Sequence, residues 1–230
     1  GGIDGTGRTG GAGDGTVTGF GSVIFTGSKF KTDTDTVFTL DGTPVVEPDL
    51  REGMVASYLI GEDADPLLVS GTAQRIDARS VVKGLVTSIA PLQILGQTVI
   101  ESQDTLYFGG PIGATDAATV YGYPGSNNVL LATRIEKNSP VLGNALAEWK
   151  VVGRVTAATP TLLQLGDLSI DINGVAVDDC GGGPALGDLV EAIKADPGSV
   201  AFAGGSAVGG FDHLKPLMIL KEGGFTDIRK

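Results

Sequence analysis

Apolar and polar residues alternate along most of the chain, in short runs that end at glycine, proline or aspartate. A period of two is typical of half-buried β-strands, whereas an amphipathic helix repeats every three to four residues. Three of these stretches open in a similar way, with Val17-Thr18-Gly19, Val82-Lys83-Gly84 and Val152-Gly153-Arg154. The spacing is 65 residues from Gly19 to Gly84 and 69 residues from Gly84 to Gly153. A repeat of this size indicates a tandem array of small units.

Turn residues and changes of composition divide the chain into six segments. We predict a glycine-rich arm over residues 1–15, β-barrel units over 16–79, 80–137 and 150–220, a linker over 138–149 and a polar tail over 221–230. About five strands in about sixty residues is the number that closes a small barrel. The predicted fold class is therefore all-β, with three tandem OB-like or SH3-like barrels behind an extended arm.

Local patterns refine this division. Asp41-Gly42 is a strong hairpin dipeptide. Leu92–Ile100 is interpreted as one strand that pairs with Val82–Ile89, and residues 142–149 as one helical turn in the linker. Residues 184–195 have apolar positions at helical spacing after a proline. Because they occupy the place that a strand takes in the first unit, we interpret Leu189–Lys194 as a strand.

The first fifteen residues differ from the rest of the chain. Glycine occupies more than half of them, and Ile3 is the only large apolar residue. Such a segment cannot bury enough surface to offset the entropy lost when glycine is ordered. We therefore expect a neighbouring molecule to hold it, through residues that form the predicted assembly arm: Gly1, Gly2, Ile3, Asp4, Gly5, Thr6 and Gly7.

Charge and composition limit the classes of partner. Lysine plus arginine number 16 and aspartate plus glutamate number 27, which gives a net charge of −11. This balance opposes binding to nucleic acid and to anionic membranes, because both attract basic faces. No apolar run reaches the roughly 20 residues that span a bilayer, so no membrane span is expected.

Residues that carry reactive chemistry are few. His213 and Cys180 are the only histidine and cysteine, which makes a zinc site and an intramolecular disulfide impossible within one chain. No G-x-S-x-G motif presents a nucleophile, and the carboxylates of Asp178 and Asp179 favour the neutral thiol of Cys180. We expect no enzyme activity and no cofactor, while an intermolecular disulfide of Cys180 stays open.

Two acidic pairs have spacing suited to calcium. Asp33-Thr34-Asp35 and Asp63-Ala64-Asp65 alternate carboxylates, but neither stretch has both the central glycine and the final glutamate of an EF-hand loop. Aspartate also bonds its own backbone in turns. Turn formation is the preferred interpretation, and calcium binding is the alternative.

Several stretches together carry a family resemblance. They are Gly-Gly-x-x-Gly-Thr-Gly at residues 1–7, Thr18–Val23, Asp41-Gly42 and Asp49–Gly53. The combination resembles a bacterial family of secreted proteins built from tandem small barrels of unknown function, closely over residues 1–79 and less closely beyond. The resemblance implies export, with the signal peptide removed, and OB-like barrels; it implies no catalytic residues.

Two functions follow as hypotheses. The first is an exported structural protein, extracellular or on the cell surface, that forms homo-oligomers such as a filament or surface layer through its arm. The second is a monomeric periplasmic or extracellular module that binds a glycan or small ligand on an exposed aromatic cluster, drawn from Tyr58, Tyr107, Tyr121 and Tyr123. Trp149, the only tryptophan, is expected to pack between structural elements rather than to stack on a ligand.

Overall fold

A computed structural model shows that the protein is all-β, and no α-helix occurs among the residues that it describes. These residues are 11–19, 23–25, 28–61, 63, 70–138, 148–175, 184–195, 207–211, 213–219 and 225–226. The chain divides into two compact units, Gly1–Arg79 and Ser80–Lys230. The predicted fold class is therefore confirmed as far as its all-β character and a closed β-barrel.

The first compact unit contains seven strands and one short 3-10 turn, Glu47–Asp49. The strands are β1 (Gly11–Gly19), β2 (Val23–Phe25), β3 (Ser28–Lys31), β4 (Val37–Leu40), β5 (Thr43–Val45), β6 (Val55–Ile60) and β7 (Ser70–Ala78). Five of them close a ring in the order β1-β2-β3-β7-β6-β1, in which only the β3–β7 contact is parallel. The β4–β5 hairpin, turned at Asp41-Gly42 as predicted, extends this first barrel because β4 lies parallel to β7.

The described residues of the second compact unit form twelve strands. They are β8 (Val82–Ile89), β9 (Leu92–Ile94), β10 (Gln97–Ile100), β11 (Leu106–Phe108), β12 (Ala117–Pro124), β13 (Val129–Asn138), β14 (Glu148–Ala158), β15 (Leu162–Leu165), β16 (Leu168–Asp171), β17 (Leu189–Ala195), β18 (His213–Ile219) and β19 (Phe225–Thr226). A second barrel closes in the order β8-β9-β10-β13-β12-β8, with β10 parallel to β13. The strand at 189–194 is thus confirmed.

The remaining strands form a third set, in the order β16-β15-β14-β17-β18. Ile170 of β16 makes a parallel bridge to Val208, on the stretch that leads into β18. The parallel pairs β3–β7 and β10–β13 close the two barrels, and the bridge from β16 lies at the corresponding position in the third set. The third set joins the second barrel through β14, whose Lys150 and Val151 pair with Lys83 and Val82 of β8.

The same irregularity recurs in the first strand of each set. The register shifts between Val17 and Gly19, between Val86 and Ser88, and between Val155 and Ala157. Each shift is typical of a β-bulge, and each is centred on a threonine in a Gly-x-Val-Thr sequence that recurs every 69 residues. The equivalent glycines are Gly15, Gly84 and Gly153, so the sequence alignment through Gly19 was displaced by four residues.

A second recurring feature lies just before β6, β12 and β17, which are the fourth strands of the three sets. The carbonyl oxygens of Met54, Asp116 and Asp188 accept hydrogen bonds from the amides of Val17, Val86 and Val155, at 2.8 to 2.9 Å. These valines belong to the bulges just described. The same backbone hydrogen bond therefore recurs at the bulge of all three sets.

Two tight turns pack against each other inside the second compact unit. The first, Leu95-Gly96, joins β9 to β10, and the second, Gly166-Asp167, joins β15 to β16. The backbone amide of Asp167 donates to the Gly96 carbonyl at 3.0 Å. The side-chain amide of the buried Gln97 donates to the carbonyl of Leu165 at 2.6 Å. Leu92–Ile100 is consequently two strands and not the single strand predicted.

The apolar core of the second compact unit is one cluster. It takes residues from the second barrel, such as Ile94 and Ile135, and from the third set, such as Leu163 and Val190. Trp149 belongs to it with 2% of its surface exposed, which agrees with the predicted packing role. The division of this part into two predicted units stays a prediction.

Three predicted segment boundaries need correction. Gly11–Gly15, assigned to the arm, form the first half of β1 and pair with β6. Asn138 ends β13, and Glu148 and Trp149 begin β14 rather than ending a helical turn; residues 139–147 of the linker lie outside the described residues. Phe225 and Thr226, placed in the polar tail, pair with β18 as β19.

The position of β1 predicts different effects for two truncations. Removal of residues 1–15 deletes five of the six residue pairs of the β1–β6 ladder. It is expected to unfold the first barrel or lower its melting temperature by more than 10 °C, because most of the pairing between two ring strands is lost (about 4–8 °C per kcal/mol). Removal of residues 1–10 leaves the ladder intact and is expected to change the melting temperature little. Calorimetry on both variants decides, and equal melting temperatures would contradict the assignment of Gly11–Gly15 to the barrel.

Candidate functional site

A groove with polar side chains lies on the first barrel. Its volume is about 420 Å³, and its lining comes from β7 and from the ends of β3 and β6: Asp33, Asp35, Gly61, Thr72, Ala73 and Gln74. The ladder between β6 and β7 shifts register between Leu59 and Ile60, which leaves Gln74 without a partner across the ladder. This bulge turns the Gln74 side chain toward solvent at the groove.

The second barrel carries larger side chains at the place that matches the groove. Gly61 faces Thr72 across the ladder, through a 2.9 Å hydrogen bond from the Gly61 amide to the Thr72 carbonyl. Tyr123 faces Leu131 at the matching place in the second barrel. Glycine and threonine thus replace two large side chains, and the space that those side chains occupy is open in the first barrel.

Hydrogen bonds fix the walls of the groove. The Asp33 carboxylate accepts hydrogen bonds from the amides of Asp35 and Thr36 at 2.9 and 3.1 Å. The Thr36 hydroxyl donates to the Ala73 carbonyl at 2.7 Å, which ties this turn to β7. Ser102 and Thr105 build the same turn in the second barrel, where the Thr105 hydroxyl donates to the Ala132 carbonyl at 2.8 Å. The turn interpretation of Asp33 is confirmed.

Asp63 lies beside the groove and is held by Thr72. The Thr72 hydroxyl donates to one carboxylate oxygen of Asp63 at 2.7 Å, and the Thr72 amide donates to the other at 2.9 Å. The hydroxyl bond first, and then the amide bond, hold the pKa of Asp63 below its ordinary value. Both bonds favour the ionised carboxylate, since only that form accepts from two donors at once.

The groove also contains the carboxylate of Asp35 and the side-chain amide of Gln74, and no hydrogen bond from either to another described residue is seen. Together they offer acceptors and one donor pair, a combination suited to the hydroxyl groups of a neutral polar ligand. Among the described residues no group of three or more histidine, cysteine, aspartate or glutamate side chains is placed to hold a metal ion. Asp65, of the predicted calcium pair, lies outside them.

The Asp63–Thr72 contact predicts a pH effect. A carboxyl group whose folded pKa is lowered stabilises the fold above its unfolded pKa, and that stabilisation is lost as the pH falls through the folded value. In Thr72→Val the hydroxyl bond disappears, so the pKa of Asp63 is expected to rise toward the ordinary 3.8. Carbon-13 NMR titration of the Asp63 carboxyl measures it. Thr72→Ser, which keeps a hydroxyl, is the control, and an unchanged midpoint in Thr72→Val would contradict this account.

None of the other predicted residues that the structure describes lines the groove. The assembly arm, Gly1 to Gly7, and Cys180 lie outside the described residues. Tyr58 belongs to the first barrel, where its ring packs 4.6 Å from that of Phe30, measured between centroids. Of the tyrosines in the second barrel, Tyr121 is buried while Tyr107 is half exposed, and the four do not form one exposed cluster.

His213 begins β18 and pairs with Ile193 of β17. The first and second barrels have Arg75 and Arg134 at the corresponding ladder positions, opposite Leu59 and Tyr121. His213 therefore occupies a recurring structural position.

Two charged pairs escaped the sequence analysis, although part of their signal was visible. Arg75 and Asp77 pair at 2.7 Å, and Arg134 and Glu136 pair at 2.6 Å. Both pairs follow an alanine and a bulged residue, in Ala-Gln-Arg-Ile-Asp and Ala-Thr-Arg-Ile-Glu. The similarity of these closing sequences was recognised, but an ion pair between residues two apart becomes evident only when both lie on one strand face.

In comparisons with protein-family models, with curated proteins and with solved structures, no match to this chain was found. Within the described part of the chain, no helix has the length and apolar character needed to cross a membrane.

Proposed function

We propose that this chain is an exported, non-enzymatic structural protein that self-associates, as a subunit of an extracellular filament or surface layer. The proposed architecture is three repeats of one OB-like barrel, preceded by a glycine-rich segment that docks on a neighbouring subunit. The strand order 1-2-3-5-4-1 of both closed barrels, with parallel closure, supports the OB-like assignment. The extracellular location rests on the family resemblance alone.

The observation that carries this proposal is the glycine-rich sequence of residues 1–10, which directly precedes β1. The described β1–β6 ladder runs from the Gly11–Ile60 pair to the Thr16–Val55 pair. An extended, glycine-rich segment is well suited to lie along a strand edge of another molecule, because its backbone groups are accessible.

The recurring polar residues support a structural role as well. Thr36 and Thr105 hold turns against neighbouring strands, and Asp116 accepts a 2.6 Å hydrogen bond from the Gly113 amide in the turn before β12. Polar groups that form internal hydrogen bonds of this kind stabilise a structural scaffold. A contact between unlike surfaces of successive copies does not close on itself, so it produces an open filament.

Light scattering after size exclusion tests the proposal. The full chain is expected to form species larger than a monomer in a concentration-dependent manner, and the variant lacking residues 1–10 is expected to be a folded monomer. Negative-stain microscopy of both samples shows whether the large species are filaments. A full chain that is monomeric at all concentrations, or a truncated chain that assembles equally well, would contradict the proposal.

The groove supports a second candidate function, a module that binds a neutral oligosaccharide. Its test uses a soluble glucan oligosaccharide as the probe and NMR shifts of Thr72 and Gln74 as the readout. Gln74→Ala and Asp35→Asn are expected to weaken binding at least tenfold, whereas Thr133→Ala, at the matching bulge of the second barrel, leaves it unchanged. Absence of shifts at millimolar probe would contradict this candidate.

A further inference from the structure

Strand β11 is an open edge of the second barrel. It lies parallel to β13, and no described strand lies on its other side. Two of its three residues expose aromatic rings, with Tyr107 50% and Phe108 43% exposed. An exposed strand edge of this kind is a template for pairing with another chain.

The first barrel shows what covers the equivalent edge. Asp35-Thr36-Val37-Phe38 corresponds to Asp104-Thr105-Leu106-Tyr107, and both stretches begin with the threonine-held turn already described. In the first barrel β4 is covered by β5, which pairs with it antiparallel from Phe38–Val45 to Leu40–Thr43. The scaffold thus accepts an extra antiparallel strand at this position.

The chain after β11 is directed away from the open edge. Gly109 and Gly110 both have positive φ, +87° and +96°, in place of the tight Asp41-Gly42 turn of the first barrel. The ammonium group of Lys137 then donates to the Pro111 carbonyl at 3.1 Å, which fixes the chain beside the end of β13. The hairpin that would supply the covering strand is missing from the second barrel.

The first barrel also shows which kind of strand pairs beside a half-buried tyrosine. Gly13 of β1 pairs with Tyr58 of β6, and a methyl group built on Gly13 would lie 2.7 Å from the Tyr58 ring. Only glycine leaves room for that ring, which covers the bare backbone beneath it. Residues 1–10 continue the same composition, since five of the ten are glycine.

We propose that residues 1–10 of a second copy of this chain add a strand to the open edge of β11, with Tyr107 lying over one of the glycines. This inference rests on the proposed self-association and identifies β11 as the strand that receives the segment. Ten extended residues span about 33 Å and a three-residue strand about 10 Å, so the arm covers the edge and leaves several residues to reach it. The contact joins unlike surfaces of the two copies.

Association measurements with matched variants test whether residues 1–10 dock on β11. Tyr107→Lys places a charge on the edge and is expected to weaken self-association at least tenfold, because lysine on an edge strand opposes further pairing. Ile89→Lys alters an equally exposed residue at the end of β8 and is expected to leave association unchanged. Circular dichroism melting confirms that both variants are folded.

Disulfide trapping gives a second measurement that does not depend on affinity. One preparation carries Ile3→Cys and the other Tyr107→Cys, both with Cys180→Ala, and the two are mixed under mild oxidation. A covalent heterodimer is expected for this pair, and much less for Ile3→Cys mixed with Ile89→Cys.

The outcomes distinguish the proposed docking on β11 from the proposed self-association. Equal trapping at positions 89 and 107, or no trapping while the full chain assembles and the chain lacking residues 1–10 does not, would overturn the docking on β11 and leave the proposed function intact. A full chain that is monomeric throughout overturns both.

Discussion

Replacement of Gly96 by alanine is expected to lower the free energy of unfolding of the second compact unit by about 3 kcal/mol or more. Gly96 has a φ of +71°, where a side chain costs about 1–2 kcal/mol. An added methyl group would also lie 2.7 Å from the Leu168 amide nitrogen and 2.8 Å from the Asp167 carbonyl carbon. These are backbone atoms of the facing turn, so the two turns must separate, which adds the cost of overpacking.

Gly174→Ala is the matched control for this prediction. Gly174 lies in the same compact unit with a similar φ of +75°, but nothing lies within 4 Å of an added methyl group. Its substitution is expected to cost only the conformational part, about 1–2 kcal/mol. Urea unfolding of both variants gives the difference. Equal losses would show that the turn-to-turn contact contributes nothing to stability.

The second large effect is expected at the ion pair between Lys150 and Glu191. The Lys150 side chain is only 3% exposed, and its ammonium group lies 3.3 Å from the Glu191 carboxylate. Glu191→Ala deprives a buried ammonium group of this carboxylate and is expected to cost about 3–5 kcal/mol. Urea unfolding at neutral pH measures the loss.

Two further variants test the physical cause of that loss. Lys150→Met combined with Glu191→Leu removes both charges and is expected to recover most of the stability, because no buried charge remains unpaired. Glu148→Ala breaks the half-exposed pair with Lys83, 3.4 Å apart, and is expected to cost at most about 1 kcal/mol. A double variant as unstable as Glu191→Ala would indicate lost packing rather than an unpaired charge.

The strands were predictable wherever alternation and turn residues agree. Asp41-Gly42 marks its hairpin directly, and the repeat identified the strand at 189–194 despite its helical spacing. Leu95-Gly96 was missed because leucine, and not asparagine or aspartate, precedes the glycine, so the usual hairpin dipeptide is absent. The repeat itself was recognised with a displaced register, since Gly15 and Gly19 both flank the Val-Thr pair and only the bulges distinguish them.

The candidate site was harder to predict than the fold. The groove depends on Gly61 and Thr72, which come together through the β6–β7 ladder, and on a turn at Asp33 that originates elsewhere in the chain. Its openness becomes apparent only by contrast with Tyr123 and Leu131 in the second barrel. Likewise, parallel closure between distant strands leaves no local signal in the sequence.

The β12–β13 and β17–β18 ladders pair different charges at equivalent positions, and this difference affects which strands can pair while the chain folds. Three copies of one strand order invite exchange, in which a late strand completes the wrong ring. In the native ladders Glu136 lies opposite Thr119, whereas Lys215 lies opposite Glu191. Had β13 been accepted by β17 in place of β18, Glu136 would face Glu191, and like charges across a ladder repel. Charge repulsion at this ladder position therefore disfavours that one exchange.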